Sequence, residues 1–433
     1  MPELQAGADL FKQNLQRRRP DVRNSKAIKF AKAQKLFMTI KIAISAGEAS
    51  GDEHASDLIR AIRSLKTDLE VKGMGGRNLY AAGVQMVVDS EKSASVMGFQ
   101  ELFSRARGLF SAWRSMKQLL QDWKPDILVL VDFPDFNLRL ARMAKAQSIK
   151  VFYFITPKLW AWRSSRIKLF KRYIDCAAVI FPFERRFFEE HGYYNSVFVG
   201  HPFAKKIQRL EDETVERAYC RNFLLSQGLD PHKPTLALFP GSRGFEIERH
   251  LPVLDRAVLT LQKKHPGLQA LLAVAPAIQE KVRTCLNRCS ADFTPLVGRP
   301  LDVLRAADAG LLKSGTSNLQ AAFFGLPFAM FFKASLLAEA IVRTMVPLRE
   351  FSIVNVLQSG SVKELIQREA SPANLAYAAE ELLFDEQKRE NIQRALFQVT
   401  QMLCTFDQQP GFENCQDAYQ RAAKLLLTTL AGK

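Results

Sequence analysis

Ile40-Lys41-Ile42-Ala43-Ile44-Ser45-Ala46-Gly47-Glu48-Ala49-Ser50-Gly51-Asp52 is the stretch whose reading decides the fold. A short β-rich run delivers the chain to a turn with two glycines, and a helical period follows from His54 to Leu65. Strand, glycine turn and helix in that order is the opening of a doubly wound sheet, in which the helix directs free N–H groups at whatever lies beyond the strand. The spacing is not Gly-x-Gly-x-x-Gly, so it does not support a dinucleotide fingerprint. Glu48 and Asp52 bring two carboxylates to this edge, and the local pattern equally allows Ser50 or Asp52 to cap a helix starting near Glu53.

The same grammar repeats along the chain. Asp68–Gly73, Ile127–Val131 and Val151–Ile155 read as further buried strands, and continuous apolar runs alternating with helices argue for a parallel sheet covered on both faces. It restarts at Thr235–Phe239, Gln269–Val274, Ala309–Leu312 and Pro327–Phe332, giving a second doubly wound half. Residues 38–205 and 206–385 are the expected halves, 386–433 reads as closing helices, and 1–37 as a basic extension. That extension carries nine Lys and Arg against three acidic residues, which makes it either a basic arm for lipid or nucleic acid or a segment preceding a start at Met38.

At 433 residues and 47% hydrophobic, the chain is too long for one ordinary domain and too apolar to be disordered. A formal charge of +17 calls for a polyanionic partner. The six scattered cysteines have neither the pairing nor the histidines of a zinc site and read as reduced thiols. No apolar run is long enough to span a bilayer.

Four segments have the composition for chemistry. Besides Glu48, Ser50 and Asp52 in the first turn, Asp132-Phe133-Pro134-Asp135-Phe136-Asn137 follows a buried strand. There Phe and Pro can partly desolvate a carboxylate and raise its basicity; Asp135 or Asn137 can equally cap the helix that runs on through Leu140, and Asp132, less easily explained that way, is the favoured base. In the second half, Pro240-Gly241-Ser242-Arg243 sets an arginine beside backbone amides, and Ser314-Gly315-Thr316 repeats hydroxyls and amides ahead of a helix; together they suggest a nucleotide diphosphate pocket. His201, in a Gly-His-Pro setting, reads as structural. Leu102, Phe103, Leu109, Phe110, Trp113 and Met116 interleave with Arg105, Arg107, Arg114 and Lys117, the pattern of an interfacial helix and equally of a surface helix with a core-facing stripe. Trp160–Lys171 adds a second basic run.

This ordered set resembles the lipid-A-disaccharide synthase family, glycosyltransferases of bacterial lipid A assembly. The resemblance runs from about Ile42 to about Leu375 and rests on Ala46–Asp52, Gly73-Met-Gly-Gly76, Val96-Met-Gly98 with Glu101-Leu102, Asp132–Asn137 and Pro157–Arg163. It continues through Phe181-Pro-Phe-Glu184, Gly200-His-Pro202, Pro240–Arg243, Ser314–Thr316 and Lys363-Glu-Leu-Ile-Gln367. The family implies a GT-B fold, two Rossmann-like doubly wound domains facing a cleft, with the lipid acceptor in the N-terminal half and the UDP of the donor in the C-terminal half. It implies an inverting transfer from UDP-2,3-diacylglucosamine to the 6-hydroxyl of 2,3-diacylglucosamine 1-phosphate, giving a β-1,6-linked disaccharide 1-phosphate and UDP. Asp132 matches the family base and Glu48 its helper. Ser50, Asp52 and Asn137 are then expected on the acceptor side, and Arg243, Ser314, Gly315, Thr316, Gln320 and Asn355 on the donor side.

No Asp-x-Asp pair of metal-ligand character stands in a suitable loop, so neither cofactor nor obligatory cation is expected. Two positions depart from the family pattern. Gln320 replaces a Glu and keeps a hydrogen-bonding group without charge, and Val354 replaces the Pro before Asn355. Acylated substrates shift the aromatic and basic helix toward a docking surface on an anionic cytoplasmic leaflet, with the enzyme peripheral there. Nucleic acid is demoted as a partner, a UDP-sugar epimerase is the nearest rival, and a homodimer is left open.

Overall fold

The computed structural model describes residues 39–90, 101–161, 164–207, 213–334, 350–404 and 411–432. The basic extension 1–37, the motif at Val96–Gly98, and Arg163 therefore lie outside the described residues, as do the side chains of 101–107.

The first half is a seven-stranded parallel sheet built from β1 (Ile40–Ala46), β2 (Leu69–Gly75), β3 (Gln85–Asp89), β4 (Ile127–Val131), β5 (Lys150–Phe154), β6 (Cys176–Val179) and β7 (Ser196–Phe198). Its strand order is 3-2-1-4-5-6-7. The second half is a six-stranded parallel sheet of β8 (Thr235–Phe239), β9 (Gln269–Val274), β10 (Thr294–Val297), β11 (Ala309–Lys313), β12 (Phe328–Phe332) and β13 (Glu364–Ile366), in the order 10-9-8-11-12-13. In each half the order reverses next to the first strand, between β1 and β4 and between β8 and β11. Such a switch point opens a crevice at the carboxyl edge of the sheet, where ligands of doubly wound folds bind. Register fixes what meets there: Ala46 pairs with Val131 and Phe239 with Leu312, so the turns after β1 and β4 adjoin, as do those after β8 and β11.

The central strands are fully buried runs of β-branched and aliphatic residues, such as Ile-Leu-Val-Leu-Val in β4, because helices cover both faces. On the first sheet these include α1 (Ala49–Leu65), α2 (Arg77–Ala81), α3 (Glu101–Trp123), α4 (Pro134–Ala146), α5 (Ile167–Tyr173) and α6 (Pro182–Glu190). The crossover holds α7 (Phe203–Lys206) and α8 (Glu213–Ser226), and the second sheet carries α9 (Gly244–Lys264), α10 (Gln279–Leu286), α11 (Pro300–Ala306), α12 (Thr316–Phe324), α13 (Ile353–Leu357) and α14 (Pro372–Phe384).

The last two helices serve different halves. α15 (Glu386–Cys404) packs on α12 and α14, whereas α16 (Ala418–Ala431) returns to cover α1, β5 and β6. Tyr419 of α16 is buried and shares a hydrogen bond of 2.9 Å with His54 Nδ1, Lys206 pairs with Glu53 and Asp57, and Lys205 pairs with Asp417. His201 sits beside this seam, its ring packed among Phe181, Phe203 and Phe323 and its Nδ1 accepting from the Phe203 N–H. Burial drives its pKa down to about 3, so it is a neutral structural residue.

Candidate active site

β4 ends in a turn that the backbone resists. Asp132 and Phe133 both have left-handed φ, 47° and 48°, a conformation that costs a non-glycine residue on the order of 1–3 kcal/mol. Three groups hold it. The Tyr153 hydroxyl donates to the Asp132 carbonyl at 2.6 Å, the Asn137 Nδ2 donates to the same carbonyl at 2.7 Å, and Pro134 fixes the first turn of α4. Asn137 is anchored in turn, its Oδ1 accepting from the Ser45 hydroxyl of β1 at 2.7 Å. Across the switch point Gly47 lies under the Phe133 ring so closely that a Cβ there would fall 2.3 Å from Phe133 Cδ1. Only glycine permits that approach, which seats the Phe133 ring of the strained turn against the loop after β1.

Asp132 is partly buried, and its pKa is raised first by desolvation and then by the negative charge of Glu48; the Phe133 N–H and Lys158 oppose these. A carboxylate made more basic in this way is better suited to proton abstraction than a fully solvated one.

The helix after β1 starts at Ala49, four residues earlier than the sequence suggested, with Glu48 at its N-cap position and making no cap bond. Glu48 and Ser50 are thereby left exposed at the crevice. Three expected binding residues are corrected. Asp52 is 1% exposed, and its carboxylate accepts from the backbone N–H groups of Gly76, Asn78 and Leu79, so it caps α2 rather than facing ligand. Asn137 is fully buried and positions the Asp132 turn. Asn355 is buried too, exchanging hydrogen bonds with the Val362 backbone and donating to Glu364.

The second crevice shows the same economy of polar groups. Glu246, in the first turn of α9, reaches back to accept from the Ser242 and Arg243 N–H groups at 2.9 and 3.2 Å, so those amides are not free for a phosphate as their sequence setting suggested. Gly241, at φ 124°, is needed because a Cβ would lie 2.2 Å from Glu246 Oε2. Burial pushes the Glu246 pKa up, but Lys313 at 3.0 Å and the two amides outweigh it and hold it below the usual range. The Arg243 guanidinium lies 3.7 Å from the Glu246 carboxylate in a loose ion pair, and its side chain stays 69% exposed. On the neighbouring loop the Ser314 N–H is bonded to Phe331 and its hydroxyl to Phe351, while Gly315 and Thr316 are exposed where α12 begins. Gln320 is half-buried one turn further along. The available anion-binding groups are therefore the Arg243 guanidinium and the first-turn amides of α12.

Sequence reasoning missed the cavity beside Asp132. About 230 Å³ in volume, it is lined by Asp132, Lys158, Arg166 and Glu184 with Ile155, Leu159 and Phe181 among the apolar walls. Arg166 pairs with Asp135. Glu184 is 2% exposed and accepts from the Ile180 and Phe181 N–H groups and, at 3.4 Å, the Thr156 hydroxyl. Burial drives its pKa up to about 7 against those bonds. Phe-Pro-Phe-Glu in sequence offered a helix start with Glu at the third position, the signature of a residue reaching back. Among the described residues no three His, Cys, Asp or Glu side chains converge as a metal-binding group.

A family model described as lipid-A-disaccharide synthetase matches residues 42–414. A lipid-A-disaccharide synthase from Nitrosococcus oceani is 36% identical over 84% of this chain and 92% of its own length. Among solved structures, a UDP-GlcNAc 2-epimerase from Neisseria meningitidis bound to UDP-GlcNAc covers 92% of this chain and all of its own, with a TM-score of 0.58 and 13% identity. A glycotransferase of kitacinnamycin covers 91% of this chain and all of its own at a TM-score of 0.56 and 14% identity. These likenesses carry the two-domain GT-B fold.

The buried Glu184 carboxyl generates a stability prediction. Its folded pKa, about 7, exceeds the ordinary 4.5, so the folded state holds the extra proton between those values and stability falls as pH rises through that window. Urea unfolding at pH 5 and pH 8 is expected to show a drop in wild type larger than that in Glu184→Gln by on the order of 2 kcal/mol. Equal drops would show that the carboxyl is already ionised at pH 5.

Proposed function

The chain belongs to the lipid-A-disaccharide synthase family of glycosyltransferases, and from that premise we propose that it joins UDP-2,3-diacylglucosamine to 2,3-diacylglucosamine 1-phosphate. Asp132 takes the proton of the acceptor 6-hydroxyl as the oxygen attacks the anomeric carbon of the donor. The bond from that carbon to the UDP oxygen breaks, UDP leaves, and single displacement inverts the centre to a β-1,6 linkage. Glu48 orients the acceptor and, by its charge, keeps Asp132 basic. Arg243 and the first-turn amides at Thr316 stabilise charge building on the leaving diphosphate, with Gln320 bonding a ribose hydroxyl.

The observation that carries this reading is the register at the first switch point, which sets Glu48 beside a desolvated Asp132 at the carboxyl edge of β1 and β4. The shared fold alone fits a UDP-sugar epimerase equally well, and it is the Asp132 turn that favours transfer. Asn tolerates a left-handed φ better than most residues, so Asp132→Asn preserves the turn while removing the base. Disaccharide phosphate formation should fall roughly 10²- to 10⁴-fold with the circular dichroism unaltered; undiminished product would reject Asp132 as the base.

The acceptor's acyl chains place the reaction at a membrane surface. Among the described residues no helix is long and apolar enough to cross a bilayer. α3 supplies the docking edge in this reading, since Leu109 and Phe110 are 45% and 63% exposed and Arg114 lies 6.0 Å over the Phe110 ring. Trp113, in contrast, packs edge-on against Phe136 and belongs to the core side of the helix. Replacing Leu109 and Phe110 together by Ser is expected to weaken partition into anionic vesicles at least about tenfold, from the apolar area withdrawn. Unchanged partition would reject this surface.

A further inference from the structure

The cavity beside Asp132 contains a cation that the transfer step leaves without a task. Lys158 follows β5 in a loop turned by the left-handed Ile155, φ 58°, and its side chain is exposed at the cavity rim. Among the described residues its ammonium is within ion-pair reach of no carboxylate, whereas the other cavity cation, Arg166, is committed to Asp135. Its field nevertheless reaches Asp132, Glu184 and His201. The cavity's own acids make a poor counterion: Glu184 is occupied by two backbone N–H groups, and Asp132 is the proton acceptor.

Size limits what enters. About 230 Å³ falls below the roughly 300–1,000 Å³ that drug-sized ligands occupy, so the space suits one sugar head and not a nucleotide sugar. Apolar walls from Ile155, Leu159 and Phe181 fit the carbon face of a pyranose. We propose that Lys158 receives the phosphate of a sugar 1-phosphate acceptor whose ring fills this cavity and whose free hydroxyl meets Asp132. The proposal rests on the transferase reading above, and it makes Lys158 the residue that separates phosphorylated from unphosphorylated acceptors. A phosphate is a strong acceptor for an unpaired ammonium, and placing the cation between phosphate and Asp132 also offsets the repulsion between the two anions.

The test compares kcat/KM for 2,3-diacylglucosamine 1-phosphate with that for the same lipid lacking phosphate, in wild type, Lys158→Gln and Lys158→Arg. Wild type should prefer the phosphorylated acceptor. Lys158→Gln should shrink that preference about tenfold, through KM more than kcat, and Lys158→Arg should restore most of it. An unchanged preference overturns the proposal. So does a parallel loss on both acceptors, which would make Lys158 a modulator of Asp132 only.

A second readout needs no turnover. Calorimetric titration of water-soluble glucosamine 1-phosphate should show binding to wild type weakened about tenfold in Lys158→Gln. Weakened binding together with a wild type that forms no disaccharide would reject the transferase reading and retain the phosphate site. Equal binding to both proteins overturns the site itself.

Discussion

The site depends on a two-residue left-handed turn, Asp132-Phe133, that a chain of L-residues does not adopt unaided. It persists because hydrogen bonds from two other elements converge on one carbonyl: Tyr153 from β5, and Asn137 from α4, itself tied to Ser45 of β1. Three neighbouring strands, β1, β4 and β5, thus fix the backbone of one residue. Gly47 completes the constraint by letting the Phe133 ring lie against the first turn. Backbone strain is thus held at Asp132 and, across the same cavity, at Ile155, the kind of position where surrounding packing preorganises a group.

The other loops are fixed by a related device. Glu184, Glu246 and Asn318 each stand third in their helix and turn back onto the loop before it, binding the amides of Ile180 and Phe181, of Ser242 and Arg243, and of Gly315. Each bond rigidifies a crevice loop and removes an amide from ligand binding. The polar groups left uncommitted to these backbone bonds are fewer than the loops' composition suggests: the side chains of Glu48, Asp132 and Lys158 in one half, and the Arg243 side chain and the exposed start of α12 in the other.

That selection explains what the sequence could reveal. The central strands were legible because β4 and β8 are unbroken apolar runs, and they dictate two doubly wound halves. β7, three residues long, and β13, beginning with a Glu, lack such runs because edge strands are short and half-exposed. That Asp132 and Glu48 adjoin at the carboxyl edge of the sheet was legible from their place after strands. Asp52, Asn137 and Asn355 misled because a short polar side chain in a loop serves ligand and backbone equally well in sequence, and only tertiary placement decides. Lys158 carried no signal alone; its meaning comes from Arg166 and Glu184 facing the same cavity.

In the proposed mechanism Asp132 is the base, and burial first and the Glu48 charge second raise its proton affinity. The most direct measurement is the pH dependence of kcat/KM for wild type and Glu48→Gln. Removing the neighbouring charge lowers the Asp132 pKa, so the acid limb should move to lower pH in the variant whatever happens to the maximal rate. An acid limb at the same pH in both proteins would contradict the account.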